Sequence, residues 1–283
     1  MSDLDCTLGA LFVHPVKSCA GLAPNESPLI ETGLEYDREW MVVDGAGRML
    51  TQREWPRMAL VQPAFKAGEL MLRAPGMLAL HLSLAAVEGP TRVHVWDDEV
   101  AAFEMGALAA QWFSSFLGCP ARLVRFDPEQ RRLSSPKWTG EIEALNALAD
   151  GFPLLVAGSA SLADLNLRLA ARGVAPVAMQ RVRPNLVLDG LQPYDEDHLD
   201  EIRFETGDGP VRIKLVKPCA RCTIPGVDPA TGVQGHEPGD TLAGYRADAR
   251  LDGAITFAMN AVLVEGFGCT LRVGQRGSAS WGF

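Results

Sequence analysis

The sequence predicts a mainly β (α+β) chain: a partly closed antiparallel barrel with appended helices, behind a smaller β-rich N-terminal domain. Three observations carry this expectation. Short apolar runs broken by turn residues recur along the whole chain, helical periodicity is confined to two segments, and strands do not alternate with helices as a parallel sheet requires. At 283 residues the chain exceeds one typical core, and the expected division is residues 1–125 and 126–283.

In chain order, "LGALFVHPVKS" is a strand-like run, and "REWMVVDGAGRMLTQRE" reads as two β-rich pieces joined by a hairpin turn at "DGAG". "MLALHLSL" and "TRVHVWDDEV" alternate with a period of two, as half-buried strands do. "GALAAQWFSSFLG" reads as a helix with Leu108, Trp112 and Phe116 on one face, ended by Gly118 and Pro120. "RFDPEQRRLSSPKW" is polar, carries prolines and reads as a surface loop. The best helix pattern is "SLADLNLRLAARG": Ser161 is placed as N-cap, Leu162, Leu165 and Leu169 form the stripe, and Gly173 supplies the left-handed stop. The strands "NLVLDG", "EIRFETG" and "VRIKLVKPC" follow. A long polar stretch then runs to about Arg250, before "AITFAMNAVLVEG" and "CTLRVGQ".

The composition, 47% hydrophobic and 22% charged with a net charge of -9, is that of an ordinary globular protein and disfavours broad nucleic-acid binding, which needs a basic face. No apolar run is long enough for a membrane span. The N-terminus carries acids where a signal peptide carries cations, so a cytoplasmic protein is expected. Cys6, Cys19, Cys119 and Cys269 are scattered, as small core hydrophobes are.

Only Cys219 and Cys222, in "KPCARCTIPGVDPATG", lie close together. Structural zinc needs two further ligands, and His236 and Cys269 offer no paired spacing. A thioredoxin-like pair needs a helix after the first thiol, and the prolines and glycines of "TIPGVDPATG" oppose one. A buried, inert pair is one reading that remains. The other rests on charge: Arg212, Lys214, Lys217 and Arg221 surround the pair with no acid between Val211 and Pro225, as an anion site would, and Arg181 and Arg183 add to it if "RVRPN" folds nearby. A solvated basic strand face would look the same.

At these residues the chain resembles the MOSC-domain family, which includes the mitochondrial amidoxime reducing component and its bacterial relatives. "HPVKSCAG" and "LEYDREWMVVD" match the N-terminal MOSC-associated β-barrel domain, and "SASLADLN", "RVRPNLVLDG" and "CARCTIPGVDPATG" match the MOSC domain. The resemblance implies a molybdenum cofactor, a phosphorylated molybdopterin whose dithiolene sulfurs bind the metal. It makes Cys222 the metal ligand and the residue central to catalysis, with Cys219 in a supporting or structural place. Lys17, Ser18, Arg38, Arg183 and Asn185 map onto positions that grip the cofactor. Ser159 and Ser161 lie in a segment near it, and Asn260 aligns close to the metal, among neighbours that depart from the family's usual pair.

The activity so implied is reduction of N-hydroxylated compounds: amidoximes, hydroxylamines and N-hydroxylated bases. The tail "VGQRGSASWGF" carries no cysteine cluster, so a separate ferredoxin or flavoprotein is expected as electron donor. MOSC domains also occur in cofactor sulfurases, so a cofactor or sulfur carrier is the alternative activity. A fold that binds a partner and no metal is a third.

Overall fold

The computed structural model describes residues 4–282. Its centre is a barrel of seven strands. In spatial order they are Leu154–Gly158, Leu186–Asp189, Leu4–Leu11, Arg276–Trp281, Leu199–Thr206, Gly209–Ala220 and Ala254–Glu265, and the last pairs back to the first. A two-residue strand, Ala247–Asp248, extends the edge. All pairings around the barrel are antiparallel except that of Leu154–Gly158 with Leu186–Asp189, which is parallel. Closure leaves no free edge in the ring.

The barrel is not confined to the C-terminal half of the chain. Leu4–Leu11 is one of its staves, and Glu26–Ile30 pairs with Thr270–Arg272 in a small outer sheet. The remaining N-terminal residues form a four-stranded sheet ordered Trp40–Val43, Arg122–Phe126, Asp98–Glu104, Pro90–Val95, and a meander of Gln62–Lys66, Glu69–Arg73 and Leu80–Ser83.

The barrel core follows from strict alternation. In Gly209–Ala220, Val211, Ile213 and Leu215 point inward with Leu8, Leu188, Ile202, Phe204 and Met259, while Arg212 and Lys214 point out. The outward cations are taken up by acids of neighbouring strands, Arg212 by Glu201 and Glu265 and Lys214 by Asp200. The basic cluster expected around the cysteines is therefore divided, because strand parity sends half of it to a paired outer face.

Other expectations are corrected in similar ways. "TRVHVWDDEV" is a hairpin and not one strand, turning at Trp96, whose backbone is left-handed (φ 56°). The helix Ala107–Leu117 buries Ala109, Trp112, Phe113, Phe116 and Leu117, leaving Leu108 70% exposed. The second helix begins at Ser159, two residues before the expected cap, and Gly173 (φ 72°) stops it as expected. The polar loop after Phe126 is not all surface. Arg132, 6% exposed, reaches the carbonyls of Ala147 and Ala149 and the side chain of Asn146, fixing the segment that ends at Asp150. Cys6, Cys19 and Cys269 are buried and Cys119 is half-buried. Among the described residues no helix is long and apolar enough to cross a membrane.

Phe204 is 1% exposed at the centre of the barrel packing. Phe204→Ala should cost about 3–5 kcal/mol of unfolding free energy, a large-to-small core substitution, measured by urea titration.

Candidate functional site

A cavity of about 160 Å³ opens where the barrel meets the N-terminal segments. Its walls combine Lys17, Ser18, Arg38 and Arg53 from the first part of the chain with Asp150, Phe152, Arg183, Asn185, Cys219, Arg221, Cys222 and Asn260 from the second. Five cations thus face one carboxylate, in a chain of net charge -9.

The local backbone explains how these side chains converge. Ser18 (φ 64°), Arg38 (φ 49°) and Arg183 (φ 61°) all occupy the left-handed region, which L side chains rarely adopt. Each turns the chain sharply at the cavity wall. Arg38 donates through Nη1 to Asp37 (2.5 Å) and to Asn185 Oδ1 (3.0 Å), and through Nη2 to the Arg183 carbonyl (3.0 Å). Arg183 donates to the Cys19 carbonyl at 2.6 Å. Asn185 completes the junction by donating to the Phe12 carbonyl and accepting from the Leu155 N–H. Lys17, 6% exposed, donates to the Leu148 carbonyl and to Asp150 Oδ1 (2.6 Å). Among the described residues no protein group bonds to Ser18 Oγ, although Ser18 is buried.

Burial and crowding of like charge set the electrostatics. Burial, then Arg38, lowers the Arg183 pKa to about 10. Burial also lowers Lys17, with Asp150 opposing. Partial desolvation disfavours ionised Asp150, whose side chain is still exposed, yet Lys17, Arg53 and Arg38 outweigh it and hold the carboxyl well below its usual range. Behind the wall, His14 is 1% exposed, and its Nδ1 lies 3.6 Å from Asp37, too far for a hydrogen bond. Burial, then Arg183 and Arg38, lowers its pKa from 6.5 to about 3.

Cys222 is exposed at the cavity, just past the end of Gly209–Ala220. Cys219 is half-buried and accepts an N–H from Arg221 at 3.1 Å, and the two thiols are not joined. Arg181 ties down the following turn through Asp228. Lys217 does not line the cavity itself; its ammonium lies over the rings of Trp138 (5.4 Å) and of the wall residue Phe152 (5.8 Å).

The fold thus brings Lys17, Ser18, Arg38, Arg183, Asn185, Cys222 and Asn260 to one cavity. Ser159 and Ser161 do not line it. Ser161 is fully buried, donates to Glu196 Oε2 (2.7 Å) and accepts from the Tyr194 N–H (2.8 Å), so its hydroxyl is spent inside the fold. Gly158 admits this arrangement, since a Cβ there would lie 2.8 Å from the Glu196 carboxylate. Arg53, Asp150 and Phe152 were not foreseen. Arg53 stacks over Trp96 and approaches Asp150 at 3.8 Å, a placement created by pairing of distant segments.

A closed β-barrel with a thiol at the mouth of a cation-walled cavity is the class that fold and site define. The chain belongs to the MOSC family: the MOSC N-terminal beta barrel domain matches residues 6–120 and the MOSC domain residues 145–278. It is 35% identical to mitochondrial amidoxime-reducing component 1 of Mus musculus, over 95% of this chain and 81% of the relative. It is 34% identical to mitochondrial amidoxime reducing component 2 of Rattus norvegicus, over 85% and 72%. A molybdenum cofactor sulfurase of Danio rerio is 31% identical over 90% of this chain, which spans 31% of that protein.

Between pH 6.5 and about 3 the unfolded chain binds a proton at His14 that the folded state refuses, so this group's contribution to stability rises with pH. Asp37, held below its usual range by Arg38 and His14 despite burial, acts with the same sign at lower pH. Urea titrations should show stability falling as pH drops below 6.5. His14→Leu should flatten that slope, and an unchanged slope would place the acid sensitivity elsewhere.

Proposed function

We propose that this chain is a molybdenum-cofactor-dependent reductase of N-hydroxylated compounds, namely amidoximes, hydroxylamines and N-hydroxylated bases, with electrons delivered by a ferredoxin or flavoprotein. The observation that carries this reading is the exposed Cys222 thiol in a cavity whose charged wall sets five cations against one carboxylate. The donor set fits such a group. Among the described residues no three His, Cys, Asp or Glu side chains cluster to hold a bare metal ion. A single soft thiolate beside guanidinium groups instead suits a metal that arrives with its own sulfur ligands and a phosphate.

In this reading Cys222 binds the metal as thiolate, which keeps it deprotonated. Lys17, Ser18, Arg38, Arg183 and Asn185 hold the organic part, the hydroxyl of Ser18 and the remaining N–H groups of Arg183 being free to donate. Arg53 adds charge from the rim. Ser159 and Ser161, outside the cavity, take no part. When bound, the cofactor supplies the two-electron chemistry that cleaves an N–O bond. The protein contributes a fixed cradle and a polarised wall beside Cys222. The unpaired cysteines suit a reducing compartment, and we assign the protein to the cytoplasm.

The similarity to the zebrafish sulfurase, spread over 90% of the chain, favours a second reading, a cofactor or sulfur carrier without turnover. One preparation separates the two. The protein is purified from a host that makes molybdenum cofactor, its metal is measured, and a chemically reduced dye is supplied with an amidoxime. Metal with turnover is the expected result. Metal without turnover favours the carrier, and absence of both overturns the cofactor reading.

Cys222→Ala should lose both metal and activity. Cys219→Ala, which removes an acceptor for Arg221 and a weak thiol contact to the Ala220 carbonyl, should keep activity within about tenfold. Equal loss in the two variants would refute the choice of ligand.

A further inference from the structure

We propose that Asn260 selects substrates bearing an N–H donor next to the N-hydroxyl group, so that amidoximes and N-hydroxylated amino bases are preferred over their N,N-dialkylated counterparts. This rests on the reductase reading above and narrows its substrate class.

Asn260 sits within the barrel strand Ala254–Glu265, with Lys217 as its neighbour on one side and Leu155 on the other. Its side chain lines the same cavity as Cys222. Register shifts between Leu215 and Lys217 and between Pro218 and Ala220 interrupt the adjoining ladder here. Nδ2 of Asn260 donates to the carbonyls of Lys217 (3.3 Å) and Pro218 (3.4 Å). Both partners are acceptors only, so the amide cannot be turned over without setting its oxygen against two other oxygens. Oδ1 is thereby fixed, and among the described residues no protein donor reaches it.

The other polar side chains of the wall sharpen this. Lys17, Arg38, Arg53, Arg183 and Arg221 can only donate. Asp150 is engaged by Lys17, Asn185 Oδ1 by Arg38 and Leu155, and Cys219 by Arg221. Asp150 Oδ2 also accepts no hydrogen bond, lying 3.8 Å from Arg53 on an exposed, charged side chain. Among the described residues Asn260 Oδ1 is therefore the uncharged, uncommitted side-chain acceptor of the wall with no donor capacity of its own. An amidoxime, R–C(NH2)=N–OH, presents an N–H two bonds from the nitrogen that carries oxygen. The reaction takes two electrons from the donor protein and two protons, breaks the N–O bond and yields the amidine and water. The amino group persists throughout, so Asn260 acts by orienting the substrate. A substrate whose amino nitrogen is dialkylated leaves that acceptor unpaired in the enclosed site, which a site built to bond an N–H penalises.

The test compares wild type and Asn260→Leu, both from a cofactor-producing host, on benzamidoxime and N,N-dimethylbenzamidoxime. Asn260→Leu should lower kcat/KM for benzamidoxime about tenfold or more, with that for the dimethyl compound unchanged or raised as the unpaired acceptor is removed, and with molybdenum content unchanged. Calorimetric binding of benzamidoxime to the loaded, unreduced protein should weaken in parallel. Asn260→Ala provides a second variant should leucine disturb the strand. Equal losses on both compounds, or a fall in metal content, would overturn the proposal. If binding depends on Asn260 while loaded wild type turns over neither compound, the recognition stands and the reductase reading falls. Turnover with an unchanged substrate ratio gives the reverse, and no binding with no turnover removes both.

Discussion

Two arginines hold each other's neighbourhoods across the middle of the molecule. Arg38 binds the Arg183 carbonyl and Asn185, and Arg183 binds the Cys19 carbonyl. A guanidinium suits this clasp because its planar fork of donors bonds several oxygens without surrendering its charge. Carbonyl oxygens satisfy hydrogen bonds but do not cancel a cation. Asp37 neutralises one side and Asp150 pairs with Lys17, so the rest of the positive charge is only partly compensated. Burial first, with this charge added to it, lowers Arg183, makes Lys17 hold its proton less firmly, and keeps His14 behind them neutral.

The chain confines this excess to the cavity. On the barrel's outer face Arg203 and Arg212 share Glu201, and Lys214 meets Asp200. Exposed pairs of this kind contribute little to stability, yet they remove competing cationic patches from an acidic surface. An anion entering the cavity meets five cations against one carboxylate, where enclosure weakens screening. On the proposed reading, a phosphate bound there would relieve the mutual repulsion of Arg38 and Arg183, so ligand binding and the joining of the halves reinforce each other.

The barrel was legible because its signal is local. Val211, Ile213 and Leu215 announce a half-buried strand, and the turn residues between such runs mark the corners. The interleaving of Leu4–Leu11 with strands nearly two hundred residues later was not legible, since no local pattern states which strand a stave will pair with. The site divides along the same line. Lys17, Ser18, Arg38, Arg183 and Cys222 were marked by their short motifs, and the fold gathers them. Arg53 and Asp150 carry no such mark, and only the pairing of distant segments brings them to the rim. Ser161 shows the opposite failure: a helix-start serine reads as a cap or ligand, while its partner, Glu196, lies 35 residues away. The run of cations from Arg212 to Arg221 read as one patch because charge was counted along the chain, whereas a strand sends alternate residues to opposite faces.

On the proposed reading, the cradle and the selecting residue are built on different kinds of backbone, and the difference has a physical reason. Ser18, Arg38 and Arg183 stand at left-handed turns costing on the order of 1–3 kcal/mol each, a strain that survives because neighbouring hydrogen bonds fix the conformation. Such turns let side chains from separate segments converge on one multiply charged group, at the expense of depending on one another. Asn260 faces a narrower task, placing one acceptor, and sits on a strand paired along both edges. There its side chain is oriented by two carbonyls of the adjacent strand, while its other neighbour, Leu155, bonds Asn185 of the clasp. On the proposed reading, a substitution that loosens the Arg38–Arg183 junction should weaken cofactor retention before it alters which substrates are distinguished, because the Asn260 amide is held by carbonyls that neither arginine bonds.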